Sequence, residues 1–424
     1  MKDLVSLLHS EFFENGPPQL TPREARIPEV EGKILAVVGM RRAGKTYFLY
    51  QQIHRLLEAG APETSILYLN LEDDRLQPVD RTRLARLLEA FYALHPENHD
   101  RRVFLFFDEI QNAQGWPAVL RRFLDTRNVR IMVTGSSAKL LGSEIASVLR
   151  GRSLPCEISP FSFAERIRFL GADFPAPGQS LAPAARDRLL AQLHTHLNDG
   201  GFPETVPMQP AERIQTLQNY VDVVILRDIV ERHGVGNVAL VRYLIRTLLA
   251  TAGSRFTVNK LFNDLKSQGI RVAKNTLHEY LGYVEEAFLA FLVPIAARSI
   301  RKRQVNPRKV YAVDPGLVHA FSFGSEDRGP LFENLIYTDL RRRGCEVGYH
   351  ITRSGREVDF IATFPDGRAR LYQVTYDVSS ESARRREEDA LDEARKELGV
   401  EGRLVTAENY ASEFLPEVRR TDGS

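Results

Sequence analysis

The chain has 424 residues, more than one hydrophobic core supports, so two to four domains are expected at about 100–200 residues each. A formal net charge of +2 excludes a uniformly basic nucleic-acid binder and leaves any basic surface local. Two cysteines, Cys156 and Cys345, exclude a disulfide framework, and no apolar run of about 18 residues reads as a membrane span.

The opening segment MKDLVSLLHSEFFENG lacks the apolar core of a signal peptide, so a cytoplasmic location is expected. Residues 1–31 read as an N-terminal extension: a short helix, then a loop carrying Pro17, Pro18, Pro22 and Pro28. From 32 to 155 the pattern is α/β. Apolar runs at Ile34–Val38, Ile66–Leu69, Val103–Phe107 and Arg130–Val133 predict buried strands, with helices between them at Arg81–Leu94 and Trp116–Leu124. That alternation predicts a parallel sheet covered on both faces. Past about Pro155 the strand signal fades. Helices are predicted at Ser162–Leu170, Arg186–Asn198 and Ala211–Arg232, a helical lid over 156–235. Residues 236–300 read as helical with a different rhythm, within a domain expected over 236–315, and 316–424 return to mixed α/β. The charged run Ser382–Glu397 reads as a solvated helix face.

The first strand runs into Gly39-Met40-Arg41-Arg42-Ala43-Gly44-Lys45-Thr46 and then a helix, the pattern G-x-x-x-x-G-K-[ST] in its required context. Glycines let the backbone turn its N–H groups toward phosphate, and the helix N-terminus adds partial positive charge. Gly39, Arg42, Ala43, Gly44, Lys45, Thr46 and Tyr47 are the expected ATP-binding set. Lys45 would reach the β- and γ-phosphates, and the Thr46 hydroxyl would bind Mg2+. The third strand ends in Asp108-Glu109. Asp108 is expected to hold Mg2+ and Glu109 to act as general base on the attacking water. At the end of the fourth strand, Thr134-Gly135-Ser136-Ser137 offers a polar contact to the γ-phosphate or water. Ser136 is favoured there, with Thr134 next.

These motifs, with Asp108-Glu109-Ile110-Gln111-Asn112 and Trp116, resemble a prokaryotic AAA subfamily that pairs an AAA core with a C-terminal domain of unknown function. Leu149-Arg150-Gly151-Arg152, Gly200-Gly201-Phe202-Pro203-Glu204, Arg227-Asp228-Ile229 and Lys309-Val310-Tyr311-Ala312-Val313-Asp314-Pro315-Gly316 resemble it too. The resemblance implies an ATPase working as a ring, a hexamer by default. It also implies an arginine finger supplied to the neighbouring subunit at Arg152 or Arg150. Arg227 reads either as a lid sensor or as half of an ion pair with Asp228.

Residues 256–294 suit a helix-turn-helix: one helix at Val258–Ser267, a turn at Gly269 and a second helix at Ala273–Ala287. Lys274, Asn275 and His278 would face a DNA groove. The following segment RSIRKRQVNPRK, 298–309, reads as the wing of a winged helix. It carries six basic residues and no acid, among them Arg298, Arg301, Lys302 and Arg303. Such a cluster suits phosphate contacts, although a winged helix also serves protein partners.

In 316–424, Glu333 on a helix, Asp359 on a strand and the next strand Leu371–Thr375 resemble the PD-(D/E)XK nuclease fold. Active members carry an acid and a lysine where this chain has Gln373 and Thr375, so an inactive nuclease-like domain is expected. Glu357, on the same strand face as Asp359, is a candidate replacement ligand. The expected protein is an AAA motor or switch acting on DNA. The alternatives are a regulatory ATPase with a protein partner and an ATP-gated nuclease.

Overall fold

Every residue of Ile34–Val38 is buried, as a strand covered on both faces requires. The computed structural model describes residues 1–424 apart from Glu29, 137–148, Arg150, 173–181, Arg298, 323–326, 378–380 and 416–424. The chain forms two units, Met1–Ile158 and Ser159–Ser424. Among the described residues no helix is long and apolar enough to cross a membrane.

The first unit is built on β1 (Ile34–Val38), β2 (Ile66–Asn70), β3 (Val103–Asp108), β4 (Val129–Gly135) and β5 (Ser153–Glu157), in the order β2-β3-β4-β1-β5. All pairings are parallel, so the C-terminal strand ends share one edge of the sheet. β5 escapes the sequence reading because Pro155 interrupts a short polar stretch. At the sheet edge, beside β1, a proline is tolerated. Phe48, Leu49 and Ile53 of the helix Lys45–Glu58 pack with Leu35, Val37, Phe106 and Met132 from the sheet. The N-terminal extension is part of this core. Its helix Lys2–Asn15 stacks Phe12 on Tyr68 at 4.8 Å, and buried Arg23 donates to the Ala43 carbonyl at 2.9 Å.

The second unit opens with the helix Phe163–Phe169, whose Ser162 and Glu165 form a capping box. Helices Pro183–Asp199 and Pro210–Val223 follow, the latter continuing as a π-helical stretch, Val224–Glu231. Next come the helix Val238–Ala250, β6 (Arg255–Phe256), helices Val258–Ser267 and Lys274–Glu286, β7 (Ala290–Val293) and β8 (Arg308–Ala312). These strands form an antiparallel sheet in the order β6-β8-β7. The segment between β7 and β8 is not the plain loop expected of a wing: Ile300–Val305 is a short helix capped by Ser299. The helix Pro315–Phe321 packs against Pro183–Asp199, Pro210–Val223, Val238–Ala250 and the helix Gly329–Arg342, which ties the unit together. A second sheet, β9 (Glu346–Ile351), β10 (Glu357–Thr363), β11 (Ala369–Val374) and β12 (Gly402–Val405), has the order β12-β11-β10-β9. The charged helix Glu381–Leu398 is solvated along one face and buries Ala390, Leu391 and Ala394 against Val358 and Leu371.

Two of the motifs without evident chemistry turn out to be one interlock. Asp314 accepts from the Gly201 amide at 2.7 Å and caps its own helix through the Gly316 amide at 2.9 Å. A Cβ on Gly200 would overlap the Asp314 carboxylate, and one on Gly201 would overlap the Phe161 carbonyl. Glycine is required there because the Asp314 carboxylate and the Phe161 backbone leave no room for a Cβ.

Candidate functional site

The loop after β1 takes its shape from two glycines. Gly39 has φ 147° and packs so closely on the Ile158 carbonyl that a Cβ would overlap it. Gly44, at φ 98°, is the N-cap of the helix Lys45–Glu58. Lys45 begins that helix, is 4% exposed, and donates to the Gly39 and Met40 carbonyls at 3.1 and 3.2 Å. Its ammonium is therefore folded across the loop's own mouth, where phosphate oxygens would exchange for those carbonyls. Arg42 and Tyr47 are exposed beside it, Arg42 with a left-handed φ of 65°.

β3 lies two strands from β1, and the parallel register carries Asp108 to the same edge. Thr46 Oγ1 donates to Asp108 Oδ2 at 2.7 Å, and Tyr68 from β2 donates to the same oxygen at 3.1 Å. Thr134 Oγ1 donates to Asp108 Oδ1 and accepts from the Glu109 amide at 2.8 Å. Burial raises the Asp108 carboxyl, and the Thr134 and Thr46 hydroxyls oppose that rise. A hydroxyl and a carboxylate meeting beside a lysine form a hard-oxygen donor pair that fits Mg2+. Glu109 sits in a left-handed backbone conformation, φ 51°, and its carboxylate is held by the Gln111 side chain.

The sequence favours Ser136, then Thr134, as the polar contact to the γ-phosphate or water at the end of β4. Ser136 is buried there, and Thr134 joins Asp108 to Glu109. Glu72 was missed. Its carboxyl is raised by partial burial and by the charges of Glu109 and Asp108, with Arg41 and Lys45 opposing. No local sequence signal marks it: the β2–β3 pairing sets Asn70 beside Asp108, so the residues just past β2 flank the site. Arg150 lies outside the described residues. Arg152 precedes β5, at the sheet edge opposite the phosphate loop, and forms an ion pair with Asp125. Arg227 pairs with Glu231, not Asp228, and Arg232 pairs with Asp228. Both pairs are one helical turn apart.

An uncharacterized protein of Methanocaldococcus jannaschii, MJ1544, is 32% identical over 405 residues, covering 94% of this chain and 87% of its own. The chain belongs to that protein's family. The AAA domain family matches residues 31–167, and a domain of unknown function, DUF8612, matches 190–328. An uncharacterized Haemophilus influenzae protein is 29% identical over 339 residues, 78% of this chain and 80% of its own. Among solved structures, the Aeropyrum pernix Orc1 protein in complex with DNA is similar over 69% of this chain and 87% of its own, at 14% identity and TM-score 0.30. A likeness that low carries no functional weight. The AAA domain of this chain thus contains the whole phosphate loop, Asp108, Glu109 and Thr134.

The remaining candidates lie in the second unit. Lys274, Asn275 and His278 are exposed at the start of the helix Lys274–Glu286, although Lys274 is engaged by Asn259 at 2.8 Å. Arg301, Lys302 and Arg303 are exposed on Ile300–Val305, with Arg303 at 3.4 Å from Glu346. Arg298 lies outside the described residues. One of the six basic residues is not on the surface at all: Lys309 is buried against Glu333, Glu357 and Asp359. The structure thus brings together Glu333, Asp359 and the candidate replacement Glu357. Gln373 is beside them, accepting from the Asp359 amide at 3.3 Å and donating to Glu387 at 2.6 Å. Thr375 instead donates to the Asp377 carbonyl at 3.0 Å.

Proposed function

We propose that this chain is an ATP-hydrolysing AAA switch or motor that acts on DNA as a ring of identical subunits. The observation that carries the ATPase reading is the 2.7 Å bond from Thr46 to Asp108 beside the buried Lys45. It brings both halves of a nucleotide site to one point from 62 residues apart in sequence. Thr46 and Asp108 would hold Mg2+, which supplies positive charge to the phosphate oxygens when bound. Lys45 and the loop amides bind and orient the phosphates. Glu109 takes the proton of the attacking water, with its backbone fixed by Thr134. Arg152 is remote from its own phosphate loop, so a finger role would be exercised on a neighbouring subunit.

The DNA reading rests on chain order and charge. Helix, β6, two helices, β7 and β8, with the order β6-β8-β7, is the arrangement a winged helix requires. Arg301, Lys302 and Arg303 project from the connection between its last two strands. We read 156–235 as lid, 236–315 as winged helix and 316–424 as nuclease-like. The test is ATP hydrolysis against added single-stranded, duplex and forked DNA at low and moderate salt, with Glu109→Gln as control. Stimulation by one DNA form, absent in the variant, supports the proposal. Neither stimulation nor binding at low salt would overturn the DNA reading and leave the protein-partner alternative.

A further inference from the structure

Lys309 comes from a run of basic residues, yet its side chain is 2% exposed. Its Nζ lies 2.5 Å from Glu333 Oε1, 2.9 Å from Glu357 Oε1 and 3.0 Å from Asp359 Oδ1. An ammonium has three N–H donors, and here three carboxylates meet it. The oxygens around it are also engaged by others. Asp359 Oδ2 accepts from the Val374 amide at 2.9 Å, Glu357 Oε2 from Arg255 Nε at 2.6 Å, and Glu333 Oε1 from the Tyr311 hydroxyl at 2.5 Å.

Three features of the chain deliver this lysine. β7 is continued by Pro294–Ala296, which bonds to Tyr349 of β9 through Ala296 N and Pro294 O, so the two sheets of the unit meet. β8, beside β7, then points Lys309 toward β10. The β9–β10 register shifts between Val358 and Ile361, a bulge at Asp359 of the kind that re-aims a side chain.

We propose that Lys309 is the resident cation of this acidic centre. Its ammonium stands where a divalent metal would have to bind, and the cluster fastens β8 to the helix Gly329–Arg342 and to β10 in place of a metal-dependent cleavage site. Three carboxylates brought together in a partly dry pocket repel one another and require a cation. Mg2+ would demand near-octahedral oxygen ligation at about 2.0–2.1 Å, and a lysine nitrogen in contact with all three acids occupies that space. Gln373 is consistent with this. At the position where active nucleases place an acid, the neutral Gln373 adds no charge to three carboxylates that already outnumber Lys309 and Arg255, and its amide bridges Asp359 to Glu387 instead.

The experiment counts Mn2+ bound per chain, by electron paramagnetic resonance of the nucleotide-free full-length protein. The variants are Asp359→Asn, Lys309→Met and the double variant. Asp359→Asn serves as the reference that separates this centre from Mn2+ at Thr46 and Asp108. Wild type and Asp359→Asn are expected to bind equal numbers of Mn2+. Lys309→Met is expected to bind one more, and the double variant to lose it. The proposal is overturned if wild type binds one more Mn2+ than Asp359→Asn, or if folded Lys309→Met gains none. Should Lys309→Met fail to fold, the wild-type and Asp359→Asn counts decide alone.

Discussion

Replacing Thr134 with valine removes one oxygen and nearly preserves shape, so it isolates the bridge between Asp108 and Glu109. Two bonds are lost: the donor to Asp108 Oδ1, and the acceptor for the Glu109 amide at 2.8 Å. Thr134 is 0% exposed, so no water substitutes at the vacated oxygen without opening the strand edge. A buried polar group left without its partner costs about 1–3 kcal/mol, the expected loss of folding stability. The larger effect falls on turnover. Glu109 is held at φ 51°, a conformation costly for a residue other than glycine, and the bond its amide donates to Thr134 helps keep it there. If about 1.4–2.7 kcal/mol of barrier lowering depends on that posture, kcat falls about 10- to 100-fold. Lys45 and the loop amides are untouched, so KM for ATP stays within about threefold, and Thr134→Ser retains most activity. Phosphate release against ATP concentration, with urea unfolding alongside, measures both. A Thr134→Val enzyme within about twofold of wild-type kcat, or one whose loss lies wholly in KM, would refute the bridging role.

Gly39→Ala places a methyl group into the Ile158 carbonyl and is expected to abolish nucleotide binding without unfolding the second unit, read by fluorescence of a labelled ATP analogue. Exchanging Arg301 and Lys302 for alanine is expected to weaken binding to all duplex sequences alike. The salt slope of log K should flatten by about 1.8, or 0.9 per phosphate contact; an unchanged slope would place the contact elsewhere. Asp314 supplies a pH test. Burial pushes its carboxyl up to about 6 from an ordinary 3.8, against the Gly201 and Gly316 amides. The folded state then holds this proton more tightly than the unfolded chain. Its contribution to stability therefore falls as pH rises from about 4 to about 6 and is flat above, a total of about 3 kcal/mol. Between pH 4 and pH 7, wild type should lose that much more stability than Asp314→Asn in urea unfolding. Parallel curves would show that the burial is offset by other means.

The sequence by itself determined the nucleotide half of the site. Gly39–Thr46 is contiguous, its strand and helix are each local patterns, and Asp108-Glu109 follows five consecutive apolar residues that have to be a buried strand. The two helices around Gly269 and the helices between Phe163 and Glu231 were legible for the same reason. What only the tertiary structure decided are contacts between segments far apart in sequence. Thr134 joins Asp108 to Glu109 because the β3–β4 register sets which hydroxyl meets Asp108, and no local pattern encodes register in a buried parallel sheet. β5 was hidden because a proline-bearing edge strand is stabilised by its neighbour and not by its own composition. Lys309 read as one more cation in a basic run, since charge patterning along a chain counts charges without knowing which way a strand faces. Its partners lie 24, 48 and 50 residues away, at Glu333, Glu357 and Asp359, and only the meeting of two sheets brings them to it.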